Sequence, residues 1–222
     1  MAWRQAADGV VGEFEAVIFD HDGTLVDSEE AMYRAYNRWA EEFGVDTQDL
    51  PRYIGMPSAS VSAILVPGNR QDAADRIEQL EVEDTEGVQA LPGAVEALVT
   101  LPAERAAIAT SCTTPLLEAR MAAAGLAKPP VVVTRDQVAS GKPAPDSFLL
   151  AAKRLGTAPE RTLVVEDAPA GVAAARAGGF PVLGVLTSQT PEKLRADHHV
   201  GDLSQVVWEV CDRVIRVRLV AG

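Results

Sequence analysis

Short, unbroken apolar runs punctuate the chain, each flanked by polar, turn-forming residues. They are Ala16-Val17-Ile18-Phe19, Ala106-Ala107-Ile108-Ala109, Val131-Val132-Val133, Leu163-Val164-Val165 and Val182 to Leu186. A strand with one wet face alternates apolar and polar residues, whereas an unbroken run suits a strand buried on both faces, so the pattern predicts a parallel sheet with crossover helices. The spacing places helices over 93–101, 115–124, 145–155 and 169–177. Three of these carry Pro at or near the first turn, where its missing N–H costs little. The expected fold class is α/β.

One interval departs from this alternation. More than 80 residues separate the first run from the one at 106–109, and the stretch from Ser28 to about Gln89 has a helical pattern. Asp27 with Glu30 forms a candidate capping box, after which Met32, Tyr36, Trp39 and Phe43 fall on one helical face. Ile64, Leu65, Ile77, Leu80 and Val82 continue the apolar positions, and Leu91-Pro92-Gly93 marks the return to the α/β pattern. The expected organisation is a core of residues 1–26 and 90–222 carrying a helical insert over 27–89. The insert is expected to be of a four-helix type.

At 222 residues with 47% hydrophobic side chains, the chain can bury a sizeable core. Its formal charge of −12 argues against nucleic acid or an anionic membrane as the main partner. Residues 27–89 hold 14 acidic and 5 basic side chains, so most of the excess belongs to the insert. Cys112 and Cys211 are too few for a disulfide framework and form no Cys-x-x-Cys pattern. Residues 1–8 lack an apolar signal core, and no run reaches the roughly 18 apolar residues of a membrane span. A cytoplasmic location is expected, and oligomeric state is left open.

Ligands of open parallel sheets bind beyond the carboxyl ends of the strands. The first run leads into Asp20-His21-Asp22-Gly23-Thr24, the second ends at Thr110-Ser111, the third is followed by Ser140-Gly141-Lys142-Pro143, and the fourth ends at Glu166-Asp167. Asp20 and Asp22, one residue apart, would share a face in extended backbone. Two close carboxylates repel, so with Glu166 and Asp167 they favour a bound cation, and hard oxygen donors without a His or Cys cluster suit Mg²⁺. One carboxylate can attack phosphorus while its neighbour moves protons, and Thr110, Ser111 and Lys142 can hold phosphoryl oxygens.

These motifs resemble, in order, the four motifs of the haloacid dehalogenase-like hydrolase superfamily: Phe19 to Glu29, Thr110-Ser111, Gly141 to Asp146, and Val165 to Gly171. The resemblance implies a Rossmann-like parallel sheet core with an inserted helical cap, Mg²⁺, and hydrolysis of a small phosphorylated metabolite. It assigns Asp20 as nucleophile and Asp22 as general acid/base. The metal would be held by the Asp20 carboxylate, the Asp22 backbone carbonyl and Asp167, with Glu166 beside it. Thr110, Ser111 and Lys142 would bind phosphate, and the Lys142-Pro143 bond is of a kind often cis in the family.

The second aspartate disfavours a dehalogenase. Segments 85–94, 108–111 and 165–172 are most similar to bacterial sugar and hexitol phosphatases and to glycerol-phosphate and 2-deoxyglucose-phosphate phosphatases. Phosphosugar mutases of the β-phosphoglucomutase type share the motifs but usually carry a His where this chain has Met32. The motifs also accommodate a phosphatase of another small metabolite, such as phosphoglycolate, and a non-catalytic sugar-phosphate binder. Cys112 reads as a bystander, His21 as structural, and Tyr36, Trp39 and Phe43 as insert core. Arg52, Met56 and Ser58 are the candidate substrate-selecting residues.

Overall fold

A computed structural model describes residues 9–53, 58–66, 68 and 70–220. The chain enters through β1 (Val10–Phe14), β2 (Ala16–Phe19) and the short β3 (Val26–Asp27). Three helices follow, α1 (Glu29–Phe43), α2 (Ser58–Leu65) and α3 (Arg70–Glu83), before β4 (Gln89–Ala90) pairs antiparallel with β3. The remainder alternates: α4 (Ala94–Thr100), β5 (Ala106–Ala109), α5 (Thr114–Ala123), β6 (Val131–Val133), α6 (Asp146–Leu155), β7 (Thr162–Glu166), α7 (Pro169–Ala177) and β8 (Val182–Val185). The chain ends in the single-turn α8 (Pro191–Leu194), then β9 (His198–Val200), β10 (Val206–Val210) and β11 (Ile215–Leu219).

Six parallel strands form the central sheet in the order β6-β5-β2-β7-β8-β9. From β2 the chain builds first towards β5 and β6 and later towards β7, so the strand order reverses at β2. Such a switch point opens a crevice at the carboxyl ends. The predicted runs are buried because both faces are covered. Val17 and Phe19 join Ile108, Leu163 and Val165 on the face packed against α4 and α5, while Ile18 joins Ala107, Val164 and Val182 against Phe148 of α6 and Val172 of α7. Each fully buried side chain of this size contributes about 2 kcal/mol through its area removed from water.

The C-terminal residues build a second, antiparallel sheet in the order β1-β11-β10. Ile215 and Val217 are fully buried and alternate with Arg216 and Arg218, which pair with Glu13 and Glu209. Trp208 from this sheet meets Phe19 edge-on at 5.7 Å between ring centroids. The small sheet thus closes one face of the large one.

Helices α1, α2 and α3 pack around an apolar cluster of their own that includes Tyr36, Trp39, Val61, Ile77 and Leu80. Met32 and Phe43 pack against it, as the stripe predicts. Two details differ from expectation. Among the described residues the insert has three α-helices and one short 3-10 segment over Thr47–Arg52, rather than four helices. Nor does the Asp27/Glu30 capping box form: Ser28 is the N-cap of α1 and makes no side-chain cap bond. Its hydroxyl is committed elsewhere, to Asp22 at 2.7 Å.

Candidate active site

Asp20 is the first residue beyond β2, and its amide still bonds the Val165 carbonyl at 2.9 Å. Thr110 sits equivalently beyond β5, with its amide bonded to Val133 at 2.9 Å. Glu166 ends β7 and Asp167 follows it. Backbone pairing therefore carries these side chains to the rim of the sheet at the switch point. Lys142 arrives from the loop before α6 through a cis Lys142-Pro143 bond, with its ammonium 4.8 Å from the Phe148 ring centroid.

Lys142 Nζ donates to Asp20 Oδ1 at 2.5 Å and to Glu166 Oε1 at 2.8 Å. Glu166 Oε2 accepts from the Ala168 amide at 2.6 Å, so both of its oxygens are engaged. Burial pushes Glu166 up to about 7 despite Lys142, with the charge of Asp20 adding to the rise. Burial also raises Asp167 well above the carboxylate range, reinforced by Glu166 and Asp20. Burial works against the Lys142 charge too, but Asp20 and Glu166 outweigh it and hold the ammonium protonated.

Donor atoms of Asp20, Glu166 and Asp167 lie within 4.8 Å of one another. When ionised, these three carboxylates faced by one lysine leave two negative charges in excess, and the donors are all hard oxygens, a set that fits a small divalent cation. The neighbouring backbone closes on the same spot. Gly23 has φ +77°, and a Cβ there would lie 2.2 Å from Asp167 Oδ2. A Cβ at Gly171 would lie 1.4 Å from Glu166 Oε1. Both positions therefore require glycine for α7 and the Asp22-Gly23 turn to approach the carboxylates. Ser188 Oγ bonds the Asp167 carbonyl at 2.9 Å, fixing the turn after β7.

Thr110 is buried, and its Oγ1 accepts from the Cys112 amide at 3.0 Å, which leaves its own proton available for donation. Ser111 is half-buried beside it. The seven residues expected at the site all come to this end of the sheet, but the two aspartates of the first motif do not share one group. Chain reversal after Asp20, with the amides of Leu25 and Val26 bonded to the His21 carbonyl, turns the Asp22 carboxylate into a second cluster. The extended geometry expected for 20–22 fails because this turn intervenes.

In that cluster Asp22 Oδ1 accepts from Ser28 Oγ at 2.7 Å and lies 2.9 Å from Arg120. Asp22 Oδ2 accepts from Cys112 Sγ at 2.7 Å and lies 3.3 Å from His21 Nδ1. Burial opposes ionisation of Asp22, but the charge of Arg120 and the proximity of His21 prevail and hold it well below the usual carboxylate range. Burial pushes the Cys112 thiol up, and Asp22 pushes it further, so it remains a donor. Cys112 is thus no bystander: its S–H helps fix Asp22.

His21, Asp22 and Cys112 also offer donor atoms within 4.8 Å of one another. Arg120 stands 2.9 Å from that carboxylate and 3.5 Å from the thiol, so a cation entering there would meet positive charge already in place. Sequence reasoning missed Arg120 and Glu81, its second partner. Each is a charged residue in an otherwise apolar stripe, Leu117-Arg120-Met121 on α5 and Ile77-Leu80-Glu81 on α3. Of the three candidate selecting residues, Ser58 begins α2, the Arg52 side chain and Met56 lying outside the described residues.

Fold and site together define an α/β protein that gathers carboxylates and a single lysine at the switch point of a parallel sheet, beneath a helical insert. The chain belongs to the haloacid dehalogenase-like hydrolase family, whose profile matches residues 17–185. It is 40% identical over 197 residues to Hexitol phosphatase A of Escherichia coli (strain K12), covering 85% of this chain and 91% of the relative. Among solved structures it is similar to a hydrolase from Pseudomonas syringae, with TM-score 0.74, 30% identity, and 86% of this chain and 94% of that one covered. It is also similar to a putative β-phosphoglucomutase from Thermotoga maritima, with TM-score 0.65, 32% identity, and coverage of 86% and 95%. Among the described residues no helix is long and apolar enough to cross a membrane.

Proposed function

We propose that this protein is a Mg²⁺-dependent phosphatase of small sugar or polyol phosphates, working through an aspartyl phosphate on Asp20. The observation that carries the reading is the separation of the two motif aspartates. Asp20 lies against Lys142 in a group with room for a cation, while Asp22 lies among hydrogen-bond donors at the join to the insert.

In the first half-reaction an Asp20 oxygen attacks phosphorus as the bond from phosphorus to the substrate oxygen breaks; Asp22, ionised in the substrate-free protein, takes up a proton from solvent as the substrate dianion binds and passes it to the departing alkoxide. Lys142 neutralises charge on Asp20 and on the phosphoryl oxygens, towards which Thr110 and Ser111 supply hydroxyl and amide donors. In the second half-reaction Asp22 takes a proton from water, which attacks the phosphorus and returns Asp20 with release of inorganic phosphate. Asp20, Asp167 and the Asp22 carbonyl would hold Mg²⁺, which when bound supplies charge for the transferring phosphoryl group. Glu166, engaged at both oxygens, adds charge and anchors Lys142. The insert, residues 27–89, acts as the cap over the site. A chain of charge −12 can meet a dianion because lysine and metal reverse the field locally. Two free cysteines and a phosphorylated metabolite as substrate suit the reducing cytoplasm.

Similarity to Hexitol phosphatase A supports hexitol phosphates as the first substrates to try. The mutase reading draws on the similarity to a putative β-phosphoglucomutase, and Met32 stands against it. The test is a panel of hexitol, hexose and glycerol phosphates, phosphoglycolate and β-glucose 1-phosphate, assayed with Mg²⁺ for inorganic phosphate and for isomerised sugar phosphate. Phosphate release from a hexitol or hexose phosphate, abolished by chelator, is expected. Isomerisation of β-glucose 1-phosphate without net phosphate release would establish the mutase instead, and binding without turnover of any member would overturn both.

A further inference from the structure

Arg120 projects from α5 of the core, is 3% exposed, and touches two carboxylates on different parts of the molecule. One guanidinium nitrogen lies 2.9 Å from Asp22 Oδ1, and another donates to Glu81 Oε1 on α3 at 2.9 Å. Glu81 is itself buried, at 7% exposure. Three residues along α3, one turn away on the same face, Glu78 accepts from Thr113 Oγ1 of the core at 2.5 Å. The face of α3 that meets α5 therefore carries two acids, and the inner one reaches Asp22 through a single arginine.

Stability alone does not account for this arginine. It stands where the stripe of Leu117 and Met121 would accept an apolar side chain, and its Nε is buried without a hydrogen-bond partner. Buried ionic triads are commonly no more stabilising than apolar residues of similar volume, because desolvation cancels much of the attraction. What the triad does supply is geometry. A planar guanidinium can address two carboxylates in fixed directions at once, which a lysine cannot.

We propose that Arg120, held by Glu81 from the insert, is a positioning residue for Asp22, so that the seating of α3 on α5 sets the orientation in which Asp22 exchanges protons with the leaving group and with water. The inference rests on the proton-transfer role given to Asp22 above. Ser28, Cys112 and His21 hold Asp22 from the core and the join, and Arg120 is its link to the body of the insert. A cap seated well aims Asp22, and a cap lifted away from α5 removes Glu81 from Arg120 and leaves the arginine free to turn.

The test uses substituted phenyl phosphates of similar size whose phenols differ in acidity, and reads how log kcat/KM depends on the leaving group's pKa. A lost binding contact lowers every member by the same factor. A misdirected acid lowers the poor leaving groups selectively, since nitrophenolate needs little protonation. For Glu81→Gln we expect phenyl phosphate to lose about tenfold and p-nitrophenyl phosphate less than about twofold, a fraction of the general-acid contribution of about 10² to 10⁴. Arg120→Lys, which keeps the charge but not the fork, is expected to steepen the dependence in the same way, and it carries the test should Glu81→Gln not fold. Parallel displacement of the whole series, or an unchanged slope, in a folded variant overturns the proposal. Asp22→Asn serves as the reference: if it too leaves the slope unchanged, the acid role of Asp22 is what fails, and the two failures are told apart.

Discussion

Two aspartates, Asp20 buried and Asp22 half-buried, stand two residues apart just beyond the same strand and live in opposite surroundings. Asp20 faces a lysine, but its other near neighbours are acids, and burial drives Glu166 and Asp167 towards the protonated form. Asp22 faces Arg120, Cys112, Ser28 and His21, and its carboxylate is held ionised. The first region is short of positive charge, whereas the second is supplied with donors by its own protein. A group completed by something from outside suits a cation and a phosphoryl dianion. A group completed from within suits a side chain that must keep a defined orientation while protons come and go. The chain reversal that begins at His21, between the two aspartates, separates the two environments, so a single short motif furnishes both.

Removing each carboxylate in turn probes this division most strongly. Asp20→Asn should lower kcat by on the order of 10³-fold or more, at least about 4 kcal/mol of barrier, on every substrate that is hydrolysed. Asp22→Asn should cost about 10²-fold to 10⁴-fold on a sugar phosphate and much less in kcat/KM for p-nitrophenyl phosphate. Steady-state kinetics on both substrates reads the contrast directly. Equal losses for both variants on both substrates would dissolve the distinction drawn between the two regions.

The first region is legible in the sequence because its parts sit at strand ends. Four apolar runs and the polar residues after them are enough to bring Asp20, Thr110, Lys142, Glu166 and Asp167 to one rim. The second region is not, because its parts come from helix interiors. Arg120 and Glu81 read as single charges on surface helices until α3 and α5 are packed together. The signal is present as two opposite charges, each within an apolar stripe, but pairing them requires the register of one helix on the other. The start of α1 misleads for a related reason. Asp27 and Glu30 match a capping box locally, whereas the hydroxyl of Ser28 has a tertiary partner. The antiparallel sheet goes unread, although Ile215, Val217 and Leu219 alternate with two arginines, a period of two that marks a strand with one wet face.

Acid titration separates the regions by a smaller effect. Burial raises one glutamate in each region to about 7: Glu166, facing Lys142, Asp20 and the Ala168 amide, and Glu81, facing Arg120, Asp22 and Glu78. A carboxyl whose folded pKa exceeds its unfolded value binds more protons when folded, so stability falls as pH rises from about 4.5 to 7. Without metal, the melting temperature should drop by several degrees across that window. Mg²⁺ at pH 7.5 should recover the share due to Glu166, to which Asp167 adds in the same direction through its burial, and should do less at pH 5, where Glu166 is protonated. The share due to Glu81 should persist with Mg²⁺ and vanish in Glu81→Gln. Thermal melts of the two proteins, with and without Mg²⁺ at both pH values, resolve the contributions; a Mg²⁺ gain as large at pH 5 as at pH 7.5 would contradict the assignment.

Ser28 offers the finest probe, since it stands at the helix start and at Asp22 at once. As an N-cap whose hydroxyl bonded the helix amides, it would cost about 1 kcal/mol on replacement by alanine whatever stood at position 22. The hydroxyl instead donates to the Asp22 carboxylate at 2.7 Å and makes no cap bond. A hydrogen bond to a charged group contributes about 1.5–3 kcal/mol, and here Arg120 and Cys112 share the load, so Ser28→Ala should cost about 1 kcal/mol. In an Asp22→Ala background the same substitution should cost close to nothing, which makes the coupling in a double-mutant cycle nearly equal to the whole effect. Denaturant melts of the four proteins measure it. A cost that survives the loss of Asp22 would return Ser28 to the helix, and would leave Asp22 fixed by Arg120, Cys112 and His21 alone.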